Sequence, residues 1–272
     1  MRRVSLDHIT VVDTTPAQLA ELAAQTGCAG ICAFLHAMPV LPDLPDYDLI
    51  RDAGARAHTR RVLRDTGVAL DLVYPFTLTG RSEIADFAPA LAAAAELGAP
   101  LANILCYDRE PARRIDRLQA LAELAAANGI ELAIEPYPPS QIPSLAAALE
   151  TVAAIGRPDI GITLDLLHLA RAGEWPGLRG ALTDPAIRLV QMSDGPAAIL
   201  PADAEWEAGR QRLLPGEGEI PLAAMLAAID PAMPISVEVP QQSAIDAGAP
   251  AVDRARRAVQ AVREGLALLP QA

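Results

Sequence analysis

The chain has 272 residues, with 34 Asp and Glu against 22 basic residues, for a formal net charge of −12. All 22 basic residues are arginine, which excludes Schiff-base and pyridoxal phosphate chemistry and the lysine of a nucleotide-binding phosphate loop. The acidic balance argues against partners such as nucleic acid or an anionic membrane surface, and 51% hydrophobic residues with only 3% aromatics imply a large core of Ala, Leu, Ile and Val.

In chain order, an apolar run near Val4–Val12 precedes a helical pattern opened by Pro16. A second run, Gly30–Leu35, leads through a proline-rich loop to a helix ending near Gly67. Residues 68–74 form a third run, followed by a helix near 83–97. Residues 102–107 precede the helix 111–128, and residues 131–135 precede a helix near 143–155. Residues 159–165 precede a short helical region, and residues 187–194 precede a long loop and a helix near 219–229. Residues 234–239 precede a last helix near 250–268. Short Ile/Val/Leu strands alternating with glycine-terminated helices indicate a parallel sheet. Eight such units in this length predict a single (β/α)8 TIM barrel, α/β in class, occupying residues 1–272 as one domain. A doubly wound open sheet fits less well, because TVVDTTP after the first strand lacks a glycine-rich phosphate turn.

No apolar stretch of about 18 residues is present, and the N-terminus lacks a signal-peptide core. Three cysteines, Cys28, Cys32 and Cys106, fit buried thiols in a reducing cytoplasm better than a metal cluster.

Catalytic groups of such barrels project from the C-terminal ends of the strands. The predicted fifth strand ends in Glu135, the sixth in Asp165, the seventh carries Gln191 and the eighth Glu238. The spacing sets these four on adjacent strands at similar height. Three carboxylates and one amide oxygen make a hard ligand set suited to Mn²⁺ or Mg²⁺ rather than to a His/Cys zinc site. A cation would also relieve repulsion among three acids sharing one cavity. Taken singly, Glu135 or Asp165 could equally be a helix cap or ion-pair partner; the register of all four favours the site.

At these residues the sequence resembles the xylose isomerase-like barrels, the sugar phosphate isomerase/epimerase family. The segments LAIEPYP, TLDLLHLARAG, RLVQMSDG, LLPGEGEIPL and ISVEVP carry the resemblance, which is well marked over about residues 130–240. Glutamine rather than histidine at position 191 is similar to the hydroxypyruvate isomerase and 3-dehydroshikimate dehydratase branches. The resemblance implies Glu135, Asp165, Gln191 and Glu238 as metal ligands. It also implies Glu135 and Glu238 as the catalytic pair that moves an α-proton on opposite faces of the substrate. Isomerisation or epimerisation of a small sugar or sugar acid through a metal-stabilised enediolate is the leading expectation. Dehydration of a 3-dehydroshikimate or inosose type of substrate is the alternative.

His168, three residues after Asp165, is a candidate for binding a substrate oxygen or acting as an acid. For His8 and His36, lining the pocket and bonding to backbone are equally good readings, whereas His58 reads as surface. Arg210 and Arg212 precede the PGEGE turn and could hold a substrate anion; the resemblance favours Arg212. The turn itself reads as structural. A zinc-dependent DNA-repair endonuclease of the related barrel type is disfavoured by only four histidines and the net charge of −12. A silent ligand-binding barrel is disfavoured by the complete ligand set. Apolar helices and the loop after the seventh strand permit a homodimer.

Overall fold

Ala, Leu and Ile fill the interface between eight strands and their surrounding helices, and parallel pairing carries the sheet around to meet its own first strand. The strands are β1 (Val4–Asp7), β2 (Gly30–Phe34), β3 (Ala69–Leu78), β4 (Leu101–Cys106), β5 (Glu131–Ile134), β6 (Ile160–Asp165), β7 (Ile187–Met192) and β8 (Ile235–Val237). In this computed structural model, which describes residues 2–268, they form a closed barrel in sequence order, with β8 pairing to β1. The fold is the predicted (β/α)8 barrel. Residues 1 and 269–272 of the predicted domain lie outside the described residues.

The helices follow the predicted order with local differences. They are α1 (Pro16–Gln25), α2 (Ala53–Thr66), α3 (Ala88–Leu97), α4 (Pro111–Ala126), α5 (Leu145–Ile155), α6 (Leu166–Arg171), α7 (Ala204–Gly209), α8 (Leu222–Leu226), α9 (Gln242–Asp246) and α10 (Ala251–Ala267). Thr15 and Gln18 form a capping box at α1, and Ser144 caps α5 through Ala147 N–H. The first strand is shorter than the apolar run to Val12 suggests. Asp7 turns its carboxylate onto Ile9 N–H at 3.2 Å and converts residues His8–Val11 into a 3-10 turn. The third strand is longer, reaching Leu78, and the region after β7 contains a helix, α7, that periodicity over so few residues does not reveal.

Strand alternation places the site. Ala133 and Leu189 belong to the barrel-interior cluster, together with Cys32, Phe34, Leu72 and Tyr74, while Thr163 and Ser236 are fully buried. Moving two residues along each strand keeps the same face and climbs one layer. That step leads from Ala133 to Glu135, from Thr163 to Asp165, from Leu189 to Gln191 and from Ser236 to Glu238. On the other half of the barrel the same step leads from Cys32 to Phe34 and from Leu72 to Tyr74. Pairing relates the positions: Asp165 lies opposite Gln191, and Gln191 opposite Ser236, one inward step before Glu238.

Beneath the site Asp7 is buried, accepting from the Tyr74 hydroxyl and, at 3.2 Å, from Ser236 Oγ. Burial pushes its carboxyl up to about 6 against these hydrogen bonds. On β6, Gly161 is required by close approach. A Cβ there would stand 2.6 Å from the Ala186 carbonyl and 2.6 Å from Arg188 Cγ. Gly161→Ala should therefore cost about 1–3 kcal/mol in urea unfolding, whereas Gly180→Ala, with no neighbour within 4 Å, should be nearly neutral. Equal stabilities would contradict this packing.

Candidate active site

Glu135 follows β5 directly and continues its ladder, with its N–H donating to the Ile104 carbonyl at 3.1 Å. Its carboxylate is oriented from β4: the Asn103 amide donates to Glu135 Oε2. Asp165 ends β6 and caps α6, accepting from Leu167 N–H at 2.7 Å through Oδ1. Its other oxygen, Oδ2, faces His168 Nε2 at 3.3 Å, and the same nitrogen lies 3.5 Å from Glu135 Oε1. One oxygen each of Glu135 and Asp165 and one nitrogen of His168 fall within 4.8 Å of one another, close enough to share an ion. The Tyr137 ring packs on His168 at 4.8 Å between centroids, fixing the imidazole plane.

Arg212 reaches into this cluster from the loop between β7 and β8. Its Nη1 donates to Asp165 Oδ2 at 2.8 Å, to Ser193 Oγ at 3.1 Å and to Glu238 Oε2 at 3.4 Å. Its remaining nitrogens donate to the Ala208 carbonyl. The side chain is only 2% exposed. Burial alone would lower its pKa, but the charges of Asp165 and Glu238 outweigh that and raise it. In return Arg212 draws the Asp165 carboxyl below its ordinary value against the opposing effect of burial. Glu238 is pushed well above the carboxylate range, chiefly by burial and then by the neighbouring acids Asp165, Asp7 and Glu135.

Asp194 holds the loop that delivers Arg212. Its two carboxylate oxygens accept from the N–H groups of Gly195, Gly216, Gly218 and Ile220 at 2.8–3.1 Å. Gly216 has φ +91°, and a Cβ on Gly218 would lie 2.3 Å from Asp194 Oδ1, so the PGEG turn wraps the carboxylate as only glycine permits.

The remaining candidates fall in different places. Gln191 is buried, with its Oε1 lacking a hydrogen-bond partner. Arg210 lines the cavity but spends Nη1 on Asp43 at 3.0 Å and Gln242 at 3.1 Å, tying the loop after β2 to α9. His8 has both ring nitrogens engaged by backbone, Nε2 with the Thr14 carbonyl at 2.8 Å and Nδ1 with Phe34 N–H at 3.2 Å. No ring nitrogen is left to meet a substrate, so of the two readings of His8 the structure takes the backbone one. His36 Nδ1 bonds the Ala37 carbonyl, and the three cysteines are free and buried. The cavity above the barrel measures about 540 Å³ and is lined by Glu135, His168, Gln191, Arg212 and Glu238.

The donor set fits a divalent cation on two grounds. Gln191 Oε1 is a buried acceptor with nothing bound to it, which is costly unless a ligand occupies it. Three carboxylates against one guanidinium leave a formal charge of −2, which a divalent ion balances. Glu135, Asp165 and His168, whose ligand atoms lie within reach of one another, would hold such an ion, with Gln191 and Glu238 lining the same cavity.

The family model for xylose isomerase-like TIM barrels matches residues 20–269. The chain belongs to this family. Solved structures agree in fold. A xylose isomerase-like TIM barrel/4-hydroxyphenylpyruvate dioxygenase fusion protein superposes with a TM-score of 0.79 at 22% identity, covering 100% of this chain and 45% of that one. This chain thus spans just under half the length of that fusion protein. The IolI protein, solved with a bound zinc atom, gives a TM-score of 0.80 at 18% identity, covering 99% and 100% of the two chains. D-Psicose 3-epimerase, solved in the presence of D-fructose, gives 0.71 at 16% identity, covering 98% and 99%. No curated protein matches this chain in sequence. Among the described residues no helix is long and apolar enough to cross a membrane.

Sequence reading passed over Asn103, Tyr137 and Ser193. Asn103 was detectable, being a polar residue at an inward position of an otherwise apolar strand (LANILC). Ser193 acts through a contact with Arg212 that spans 19 residues, and no local pattern marks it.

Two measurements probe these environments. Burial lowers the His8 pKa from 6.5 to about 4, so the unfolded chain binds an extra proton between these values. The neutral imidazole's contribution to stability is complete above pH 6.5 and is lost as the pH falls towards 4, up to roughly 3 kcal/mol. The stability gap between wild type and His8→Gln in urea unfolding should therefore shrink between pH 7.5 and pH 4.5; a constant gap would contradict a buried neutral ring. Second, Glu238, whose carboxyl burial and the neighbouring acids raise above its ordinary value, must be ionised to ligate, so binding of a divalent ion should be accompanied by proton release. Calorimetry in buffers of different ionisation enthalpy reads this directly, and Glu238→Gln should abolish the release.

Proposed function

We propose that this protein is a divalent-metal-dependent isomerase or epimerase acting on a small polyhydroxy carbonyl compound by moving its α-proton. The observation that carries this reading is the cluster of Glu135, Asp165 and His168 within reach of one ion, in a cavity also lined by Glu238 and by Gln191 with its unpartnered Oε1. The hard oxygen set supports Mn²⁺ or Mg²⁺ as the ion. When bound, the ion supplies positive charge to the oxygen that becomes negative as the α-proton leaves.

The chain's own residues do the rest. Asn103 holds one oxygen of Glu135, leaving Oε1 towards the cluster as a proton acceptor. Glu238 lies across the barrel, at a strand end three staves away in sheet order. Two carboxylates approaching from different sides can remove a proton and return one. Glu238 is contacted by the Arg212 guanidinium whereas Glu135 is held by the Asn103 amide, and these unlike surroundings suit the two to opposite roles. His168, fixed against Tyr137, presents Nε2 to a substrate oxygen. Arg212 holds Asp165 and Glu238 in place and can share its charge with an anionic substrate group. Three free, buried cysteines support a reducing cytoplasmic setting.

The test is a screen of ketoses, inososes and dehydroshikimate with Mn²⁺ in deuterated water. Isomerase or epimerase action yields an isomer of the substrate that is heavier by the solvent deuteron it carries at the carbon receiving the proton. Glu135→Gln and Glu238→Gln should each lower turnover by roughly 10²–10⁴-fold. Loss of one water from the substrate assigns the protein to the dehydratases instead. Full activity in either variant, or turnover without α-exchange, overturns the proton-transfer reading.

A further inference from the structure

The cavity over the barrel is divided by chain order. Every charged side chain lining it comes from β5 onward, and the half built by β1–β4 and their loops contributes no charged residue. That half presents Phe34, Met38, Leu41, Tyr74, Phe76 and Leu105. The layer of the barrel that carries Glu135, Asp165, Gln191 and Glu238 on one side carries Phe34 and Tyr74 on the other.

Two of the polar groups on this wall are committed elsewhere. The Tyr74 hydroxyl donates to Asp7, so the tyrosine offers its ring and not its oxygen to the cavity. Phe34 packs edge-on against that ring, with centroids 4.2 Å apart. Asn103 gives its amide N–H to Glu135 and keeps only Oδ1 unpartnered. Thr77 and Tyr107 are the other polar side chains on this half. A molecule with a hydroxyl on every carbon would press several O–H groups against carbon and forfeit their hydrogen bonds to water.

We infer that the substrate has one oxygen-rich end and one apolar end. The α-hydroxy carbonyl or carboxylate oxygens lie on the β5–β8 side, and an aliphatic or aromatic body with few hydroxyls lies against the β1–β4 wall. The head group rests on the proposed function; the apolar body rests on the wall alone. This narrows the polyhydroxy class to compounds deoxygenated away from the reacting carbons.

Two six-carbon acids with the same α-hydroxy acid head separate the outcomes: 2-hydroxyhexanoate and gluconate. Each is titrated calorimetrically into the full chain, with and without Mn²⁺, after a titration of Mn²⁺ alone. 2-Hydroxyhexanoate should bind at least ~10-fold more tightly than gluconate. Met38→Gln, a near-isosteric change on a half-buried loop position, should narrow that ratio about threefold. Equal affinities, tighter gluconate, no detectable binding of either acid, or a ratio unmoved by both Met38→Gln and Leu41→Asn overturns the inference. Failure of Mn²⁺ to bind overturns the metal reading separately, because the ratio is read with and without the ion.

Discussion

Three buried carboxylates facing one guanidinium set the terms for everything around them. Glu135, Asp165 and Glu238 are each at most 11% exposed as side chains, and burying charges of one sign is costly unless opposite charge is supplied. Arg212 supplies one such charge and touches Asp165 and Glu238 directly. The rest of the deficit shows in Glu238, whose carboxyl burial and the neighbouring acids push well above the ordinary carboxylate value. A cation at the proposed site would relieve the same repulsion.

Holding that arrangement requires rigidity that the reacting groups do not themselves provide. Arg212 lies on a loop, where position is normally loose. Asp194 removes the looseness by collecting four backbone N–H groups, three of them from the turn that follows Arg212. Two glycines make the turn possible, one by its positive φ and one by the absence of a Cβ. The acidic and glycine-rich PGEG segment is therefore a clamp on the arginine, and the acid that matters most to it is Asp194 rather than the glutamates within the turn.

The barrel and the inward placement of Glu135, Asp165, Gln191 and Glu238 were legible because both are periodic. Repeated strand–helix units announce the fold, and the side-chain alternation of two puts Glu135, Asp165, Gln191 and Glu238 on the inner face once the strands are set. What lay outside that reach depends on contacts between distant segments. His8 directly follows Asp7, whose carboxylate faces the barrel interior, yet the Asp7 cap turns the chain and the His8 ring bonds backbone at Thr14 and Phe34. Arg210 and Arg212 look equivalent in sequence. One binds Asp43, 167 residues away, and the other Asp165, 47 residues away. Only the path of the loop separates them.

The absence of lysine acquires a physical meaning at this point. A lysine at position 212 would place one compact charge near one carboxylate, whereas a guanidinium can donate to Asp165, Ser193, Glu238 and the Ala208 carbonyl at once. The multiplicity of donors fixes the acids relative to each other as well as neutralising one of them. It also leaves Glu135, which Asn103 orients through a neutral amide, outside the arginine's hydrogen bonds. The two acids assigned to proton transfer therefore differ in environment: Glu135 is held by an amide and Glu238 by a cation among like charges. Two carboxylates in unlike surroundings fit the opposite halves of the proposed proton transfer, and that asymmetry is set by which strands carry Asn103 and Arg212's partners.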